Sequence, residues 1–331
     1  MQRFWAMCAA VMALLAAGAV AADYRQHPQA AAFIDEMVSK HGFKRTEVEA
    51  LLEDATYQQS IIDRISRPAE KVRPWRDYRK NFLGQERIQQ GAQFWAQNAD
   101  ALARVERELN VDPAVVVAII GVETYFGRNM GRDRVLDALA TLAFDYPKRP
   151  YFRGQLVEYL LLCREQGLVP GELKGSYAGA MGFGQFMPGS YRNFAIDFNG
   201  DGHANILADR VDAIGSVANY LKAHGWVKGA PIAVRASIRE PLAAGLIPSE
   251  IKPPARQLVD YRRQGVLPVP EKTKPALADT ALATLMKFDG DAGDEYWLGF
   301  NNFYAITRYN NSTMYSLAVM QLSEAIAAQP R

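Results

Sequence analysis

Residues Val111–Gly127 read VDPAVVVAIIGVETYFG and predict a helix that is buried on all sides. Asp112 is a favourable N-cap, and Pro113 suits the first helical position, where a missing N–H costs nothing. Every residue from Ala114 to Val122 is apolar or Gly, so no polar face remains at helical spacing. We therefore expect this helix to pack against other elements around its whole circumference.

Glu123 interrupts the apolar run in the last turn of this helix. Tyr125 and Phe126 stand beside it and Gly127 is placed as the C-terminal cap, so the carboxylate faces an apolar wall and the negative end of the helix dipole. Both effects raise the pKa of the carboxyl group and favour a proton donor near neutral pH, as general acid catalysis requires. The alternative is a structural Glu123 paired with a cation such as Arg128. The local sequence leaves both interpretations open.

Composition excludes several classes of protein. The 331 residues suffice for one large core or for two to three packed lobes. Lys and Arg number 38 against 36 Asp and Glu, which argues against non-specific nucleic-acid binding. Hydrophobic residues at 49% and aromatic residues at 11% are typical of an ordered globular protein.

The first 22 residues predict a cleavable signal peptide. Arg3 is its only charged residue, and Phe4–Ala17 is an apolar run too short to serve as a membrane-spanning stop-transfer segment. Residues 19–21 offer a cleavage site of small residues. The residues before Cys8 do not match a lipid-attachment pattern, so we expect a periplasmic protein without a lipid anchor. Removal of the signal leaves Cys163 as the one thiol, expected in the core, and no internal disulfide.

Helical periodicity extends through most of the remaining chain. Thr46 and Glu49 form a capping-box pattern at the start of one segment, and Gly225 follows the end of another. The sequence therefore predicts a mainly α (α+β) protein. The predicted helices are Ala30–Val38, Thr46–Ala55, Ile88–Leu109, Val135–Leu142, Gln155–Gln166, Val211–His224 and Ser312–Ala327.

Two segments near the C-terminal third alternate as strands do. They are Pro231–Ile238 and Ala281–Phe288, and the intervening Pro248–Pro270 contains five prolines. This shift in composition predicts a small, mostly β insertion.

Two stretches are candidates for a ligand-binding surface. Gly175–Tyr191 combines five glycines with small and aromatic residues, while Ser176 and Gln185 supply neutral hydrogen-bonding groups, which is typical of a cleft wall. A phosphate-binding loop is a weaker alternative because no Lys-Ser/Thr pair follows the glycines. Arg67–Arg79 places Trp75 and Tyr78 among basic residues, which suits either a sugar-binding wall or an ordinary packed loop.

Residues 197–205, DFNGDGHAN, match the spacing of a calcium-binding loop. Gly202 occupies the sixth position, where the chain must turn sharply. Ala208 stands at the twelfth position in place of a bidentate Glu, so another acid must close the loop. The alternative is an Asx-rich turn without an ion. The candidate ligands are Asp197, Asn199, Asp201, the backbone carbonyl of His203, and either Asp209 or Asp212 as the closing carboxylate.

Five blocks in this order resemble the lytic murein transglycosylase B family, glycoside hydrolase family 103. They cover nearly all of the chain after the signal. The blocks are GVETYFG at Gly121–Gly127, SYAGAMGFGQFMPGSY at Ser176–Tyr191, DFNGDGH at Asp197–His203, VDAIGSVANYLKAHGW at Val211–Trp226 and ITRYNNSTMYSLAV at Ile306–Val319.

The resemblance implies a lysozyme-like helical core with a flanking helical domain and a small β domain. The expected bounds are residues 23–107 and 289–331 for the helical domain, 108–230 for the core with its calcium loop, and 231–288 for the β domain. It also implies a periplasmic enzyme that cleaves the β-1,4 bond between N-acetylmuramic acid and N-acetylglucosamine in peptidoglycan. Glycan strands are then the expected partner of a monomer, with cell-wall synthesis enzymes as further candidates.

The resemblance also implies roles for particular residues. Glu123 would act as acid and then as base, producing a 1,6-anhydromuramic acid end with help from the substrate's own N-acetyl group. No catalytic cofactor is expected. The resemblance implies a structural Ca²⁺ in the loop, with Asp212 as the closing ligand. The residues implied to line the glycan subsites are Tyr78, Ser176, Gln185, Tyr191, Tyr220, Asn310 and Tyr315.

Two alternatives remain at this point. A hydrolytic muramidase would need a second carboxylate across the cleft to activate water. A non-catalytic peptidoglycan-binding or scaffolding protein would use Glu123 only to hydrogen-bond sugar.

Overall fold

The structure is a computed structural model that describes residues 23–67, 73–239, 241–270 and 276–330. The predicted signal peptide lies outside these ranges, as do residues 68–72 of the aromatic and basic stretch. The described residues form 14 helices and a small sheet, which confirms a mainly α protein. No helix among them has both the length and the hydropathy needed to cross a membrane.

Six α-helices among the described residues precede the buried helix. The two helices expected first are confirmed, but Lys44 is the N-cap of the second and makes no side-chain cap, so the Thr46–Glu49 capping box was wrong. The long helix expected over 88–109 is instead broken at Asn98, whose side chain donates to the Phe94 carbonyl oxygen at 2.7 Å. The six are α1 (Ala30–His41), α2 (Arg45–Asp54), α3 (Gln59–Ile65), α4 (Trp75–Tyr78), α5 (Gln85–Gln97) and α6 (Ala99–Arg104).

The remaining helices surround the buried one or follow the sheet. They begin with α7 (Pro113–Thr124), α8 (Val135–Asp145), α9 (Arg149–Gln166), α10 (Pro188–Phe194) and α11 (Arg210–Ala223). Later in the chain come α12 (Leu258–Arg263), α13 (Asn301–Tyr309) and α14 (Thr313–Ala327).

Helix α7 is packed on several sides, as its sequence predicts. Helices α5, α11 and α14 contact it, and the side chains from Val115 to Ile120 are at most 2% exposed. Asp112 is the N-cap residue of the helix, as predicted, but its side chain makes no capping hydrogen bond; the carboxylate instead accepts the indole N–H of Trp226 at 3.0 Å. This contact ties the start of α7 to the segment after α11.

Five of the seven described strands form one antiparallel sheet in the order β4-β6-β7-β3-β5. The two strands expected from the sequence are confirmed, but a third long strand, Gly293–Gly299, pairs between them and carries the sheet past the expected boundary at residue 288. The strands are β1 (Asp133–Arg134), β2 (Lys174–Gly175), β3 (Ala233–Ile238), β4 (Arg256–Gln257), β5 (Val266–Pro268), β6 (Leu282–Gly290) and β7 (Gly293–Gly299).

The buried side chains form separate clusters. The largest unites the helices around α7 and includes Cys163, which lies in the core as expected. A second cluster joins α4 to the sheet and to α14 through Trp75, Phe288 and Trp297. The sheet is thereby held against the helical part of the molecule, on the side from which α14 reaches Glu123.

Candidate active site

The end of α7 is an unusual turn in which three successive residues are left-handed. Tyr125, Phe126 and Gly127 have φ of 53°, 61° and 87°. Tyr125 is therefore the C-cap, and the assignment of that position to Gly127 was wrong. Non-glycine residues in this region cost of order 1 kcal/mol each, so the surrounding contacts must hold the turn.

Thr124 and Gly127 hold this turn together. The Thr124 hydroxyl lies 3.1 Å from the Ile120 carbonyl oxygen and 2.9 Å from that of Phe183, and it accepts the Gly127 N–H at 3.0 Å. A Cβ at Gly127 would stand 2.2 Å from the Phe183 ring, so only glycine allows this approach. We call residues 123–127 the Glu123 turn.

Glu123 itself is half-buried beside a tyrosine hydroxyl. Tyr315 of α14 is 2% exposed, and its hydroxyl donates to Glu123 Oε1 at 2.6 Å. Arg128 is exposed and lies over the Tyr125 ring at 5.6 Å, so it does not supply the ion pair that the structural alternative required. The carboxylate therefore lies at a polar point in a largely aromatic wall.

A second tyrosine lies close to the same carboxylate. The Tyr309 hydroxyl donates to the Gly184 carbonyl oxygen at 2.5 Å, which joins α13 to the glycine-rich stretch. Burial, and then the charge of Glu123, raise the pKa of both Tyr309 and Tyr315 well above the ordinary value. Both hydroxyls therefore stay neutral donors, and Tyr309 was absent from the predicted site set.

Arg87 is a further residue that sequence reasoning missed. It donates to the Gly121 carbonyl oxygen at 2.6 Å and its guanidinium lies 4.4 Å from the centre of the Tyr125 ring. Burial lowers the pKa of this guanidinium. Its position behind the Glu123 turn could not be found from a residue 34 places earlier in the chain.

The glycine-rich stretch folds back on itself beside the Glu123 turn. Gln185 adopts φ 50°, and its side-chain amide donates to the carbonyl oxygens of Met130 and Gly182 at 3.1 and 3.0 Å. The Ser176 hydroxyl accepts the Ala180 N–H at 3.0 Å. Both predicted side chains are half-buried and organise the loop, while Gly184 connects it to Tyr309.

Two tyrosines that were predicted to line the glycan subsites are buried, and each hydroxyl donates to a backbone carbonyl oxygen. The Tyr191 hydroxyl donates to the Ala204 carbonyl oxygen at 2.8 Å, and that of Tyr220 to the Arg308 carbonyl oxygen at 2.5 Å. Burial raises the pKa of each to about 12. The structure thus places both as supports of neighbouring loops, and direct sugar contact by either stays a prediction.

Of the remaining predicted subsite residues, Tyr78 belongs to the second core cluster and Asn310 follows α13. Tyr78 is 3% exposed and packs on Phe82, with ring centroids 5.1 Å apart, and it is near enough to Tyr315 to affect its titration. Asn310 is half-buried directly after α13. The structure therefore brings Glu123, Tyr309, Tyr315 and Tyr78 into one neighbourhood.

The predicted calcium loop forms a compact acidic loop over residues Asp197–Asp212. Ligand-capable oxygens of Asp197, Asp201 and Asp212 all lie within 4.8 Å of one another. Oxygens bound to one Ca²⁺ at 2.3–2.6 Å are at most about 5 Å apart, so the spacing fits. The Asn199 amide donates to Asp201 and Asp209 at 3.0 Å each, and the His203 N–H donates to Asp201 at 2.9 Å.

The two candidate closing acids differ in their contacts. Asp209 caps α11 by accepting the N–H groups of Val211 and Asp212 at 2.7 and 3.1 Å. Asp212 is fully buried and accepts the N–H groups of Phe198, Asn199 and Asn205 at 2.8 to 3.0 Å. Asp212 therefore belongs to the three-carboxylate group, whereas Asp209 serves the helix.

Comparisons with known proteins agree over almost the whole chain. A family model described as a transglycosylase SLT domain matches residues 25–324. Membrane-bound lytic murein transglycosylase B of Escherichia coli (strain K12) is 46% identical over 315 residues, which cover 92% of this chain and 84% of that protein. The chain belongs to the lytic murein transglycosylase B family. It is accordingly an enzyme of the lytic transglycosylase class.

Solved structures of this family share the fold. The soluble lytic transglycosylase SltB1 from Pseudomonas aeruginosa is 49% identical with a TM-score of 0.83, covering 91% of this chain and 98% of that one. An Escherichia coli lytic transglycosylase solved in complex with calcium is 45% identical with a TM-score of 0.82, covering 93% and 95%. A relative from Pseudomonas aeruginosa, SltB3, was solved with NAG-anhNAM-pentapeptide; it is 30% identical with a TM-score of 0.77, covering 91% and 79%. The lysozyme-like fold expected from the sequence is thereby confirmed.

Proposed function

We propose that this enzyme cleaves the β-1,4 bond between N-acetylmuramic acid and N-acetylglucosamine in peptidoglycan and leaves a 1,6-anhydromuramic acid end. The observation that carries the proposal is the half-buried Glu123, held at 2.6 Å by the Tyr315 hydroxyl within a wall of tyrosines. The relative solved with NAG-anhNAM-pentapeptide supports the product class.

In the first step Glu123 donates its proton to the glycosidic oxygen as the C1–O4 bond breaks. A carboxyl group in a half-buried aromatic setting suits this role, since burial disfavours its charged form. The positive charge at C1 is stabilised by the N-acetyl group of the same sugar, so the enzyme needs no second carboxylate as nucleophile. The neighbours Tyr315 and Tyr309 fit that scheme because they offer hydroxyls.

In the second step the Glu123 carboxylate removes the proton of the C6 hydroxyl, whose oxygen then bonds to C1. The carboxyl group is thereby restored, and atoms balance without water. Because the hydroxyl belongs to the same sugar, the attack gains the effective concentration of an intramolecular reaction. The Tyr315 hydroxyl can rotate with the changing charge of the carboxylate.

The acidic loop would hold a structural Ca²⁺. Asp197, Asp201 and Asp212 offer carboxylate oxygens at fitting separations, with Asn199 and the His203 carbonyl completing the set expected from the spacing. The related Escherichia coli enzyme solved with calcium supports this ion. Bound at this place, the ion would supply stability to the loop before α11 and no chemistry at Glu123. Removing calcium with a chelator should lower the melting temperature and leave the product unchanged.

The decisive experiment is mass spectrometry of peptidoglycan digests. Wild type should release muropeptides one water lighter than hydrolysis products, and Glu123→Gln should release none while still sedimenting with sacculi. Gln keeps the size and hydrogen-bonding capacity of Glu but cannot donate and recover the acidic proton. Hydrated ends in the wild-type digest would establish the hydrolytic muramidase instead. Undiminished release by the folded variant would refute the role of Glu123.

We also infer that the enzyme acts in the periplasm after removal of residues 1–22. The basis is the signal-peptide pattern in the sequence and the location of its substrate in the cell wall. N-terminal sequencing of the exported protein should find a mature chain that starts at Ala22 or Asp23.

A further inference from the structure

A cavity of about 220 Å³ lies on another side of the Glu123 turn. Its polar rim consists of three glutamines from α5 and two arginines, and we call it the arginine–glutamine pocket. No acidic residue is among the described residues that line it. The polar lining residues are Gln90, Gln93, Gln97, Arg128 and Arg210.

The two arginines are cations that the fold does not neutralise. In the described part of the chain neither Arg128 nor Arg210 forms an ion pair or a side-chain hydrogen bond, although arginines such as Arg134 and Arg192 form several. Arg128 only lies over the Tyr125 ring. Two guanidinium groups on one cavity favour an anion, and a carboxylate matches their paired donors.

Gln90 adds a complementary feature to the pocket. Its amide N–H group donates to Glu86 at 2.8 Å, whereas its buried Oε1 has no hydrogen-bond partner among the residues that the structure describes. The Glu86 carboxylate can only accept a hydrogen bond, so turning the Gln90 amide over would place its oxygen against a carboxylate oxygen. This fixes which atom of the Gln90 amide is nitrogen and which is oxygen. A buried acceptor without a donor favours a ligand that carries an N–H group.

The floor of the pocket is aromatic. Phe94, Phe126 and Phe183 line it, and Phe183 packs directly on Gly127. A ligand that suits all these surfaces carries a carboxylate, an N–H group close to it and a small apolar portion. The C-terminal end of a peptide has all three.

The pocket is also within reach of the reaction centre. Arg128 follows Glu123 by five residues, so their Cα atoms are at most about 19 Å apart, and an extended pentapeptide spans up to about 18 Å. The glycan in one related structure carries a pentapeptide. We propose that the arginine–glutamine pocket binds the C-terminal carboxylate of a peptidoglycan peptide stem. The identification of the ligand as a peptide stem rests on the proposed function, whereas the preference for a carboxylate rests on the pocket alone.

Isothermal titration calorimetry tests the carboxylate. The probes are an N-acetylated alanine dipeptide with a free C-terminal carboxylate and the same dipeptide as its amide. Wild type should bind the acid at least tenfold more tightly, and Arg128→Gln and Arg210→Gln should each weaken it about tenfold, as expected for a hydrogen bond to a charged group. Arg239→Gln, an exposed arginine beyond β3, is the matched control and should bind like wild type. Equal binding of the acid and the amide, or wild-type affinity in both variants, would refute the proposal that the pocket binds a carboxylate.

Cleavage assays then test the stem as the source of the carboxylate. Wild type should prefer glycan strands with pentapeptide stems over stem-free strands, and Arg128→Gln/Arg210→Gln should lower that ratio of kcat/KM about tenfold by raising KM. An unchanged ratio in a variant that no longer binds the dipeptide would refute the stem assignment. If wild type cleaves neither substrate, the proposed function fails, and the titration still decides the pocket independently.

Discussion

The Glu123 turn and the acidic loop both present carboxylates, but they surround them with different donors. Glu123 is half-buried and receives a tyrosine O–H, whereas Asp197 and Asp212 receive backbone N–H groups only. Backbone donors cannot turn away, and those around Asp197 lower the pKa of its carboxyl group. A hydroxyl can rotate and accept as well as donate.

This difference assigns separate work to the two regions. A carboxylate held by several N–H groups suits a permanent anion that binds a cation. A carboxylate beside a neutral hydroxyl in an aromatic wall can change its protonation state during a reaction. The residue type is acidic in both cases, and the environment decides the role.

The largest expected contrast comes from the same acid-to-amide change in each region. Glu123→Gln should lower the rate of muropeptide release about 10³- to 10⁴-fold with little change in melting temperature. Asp197→Asn should lower the melting temperature measured in calcium and reduce the rate less than tenfold, since the loop does no chemistry. Rates and melting curves of both variants check this. A rate loss of similar size in both would erase the distinction between the regions.

Asp212→Asn probes how firmly the acidic loop depends on buried charge. The carboxylate accepts the N–H groups of Phe198, Asn199 and Asn205. An amide would place its own NH₂ donor against at least one of these N–H groups. We expect a loss of about 2–4 kcal/mol in the free energy of unfolding, measured by urea denaturation in chelator. Asp260→Asn, an exposed acid in α12, serves as the control. A loss below that of the control would show that the N–H groups find other partners.

Tyr315→Phe sharpens the description of the Glu123 turn. Loss of the O–H donor at 2.6 Å should lower kcat about tenfold and leave the fold intact, because the ring stays in place. Removing a donor destabilises the carboxylate relative to the acid, so the alkaline limb of the pH–rate profile, where Glu123 loses the proton that it must donate, should move to higher pH. A profile that falls in height without moving would mean that the hydroxyl serves only to position substrate.

The smallest expected effect is the pH dependence of the acidic loop. The N–H groups of Gly202, Gly200 and Asp201 hold the pKa of Asp197 below its ordinary value of 3.8. A depressed folded-state pKa contributes stability that is present above pH 3.8 and is lost as the pH falls through the folded value. In chelator, the melting temperatures of wild type and Asp197→Asn should therefore differ above pH 3.8 and converge below it. A difference that persists at low pH would assign the effect to geometry rather than charge.

Part of the site could be predicted from the sequence because it depends on residues that are close together in the chain. The apolar run before Glu123 predicted a buried helix, and the spacing from Asp197 predicted the acidic loop. Both depend on residues within one turn or loop, where chain geometry leaves few arrangements. The cap at Gly127 was wrong because three left-handed residues follow the helix, held by the distant Phe183 carbonyl.

Long-range contacts explain what the sequence missed. Arg87 reaches Gly121 from another helix, 34 residues earlier in the chain. The sheet extended to Gly299 because pairing with β3 and β6 outweighed the local signal at the expected domain boundary. The Arg87 contact and the pairing of β7 with β3 join residues far apart in the chain.

The sequence by itself therefore determined a helical protein with one acid at the end of a buried helix and one acidic loop, since periodicity and spacing are local properties. Only the tertiary structure decided that Tyr315, 192 residues from Glu123, supplies its hydrogen bond. Likewise it separated Asp212 from Asp209 and left Arg128 and Arg210 facing one cavity. Side chains far apart in the chain meet only through packing, and packing sets the charge and donors that each carboxylate meets.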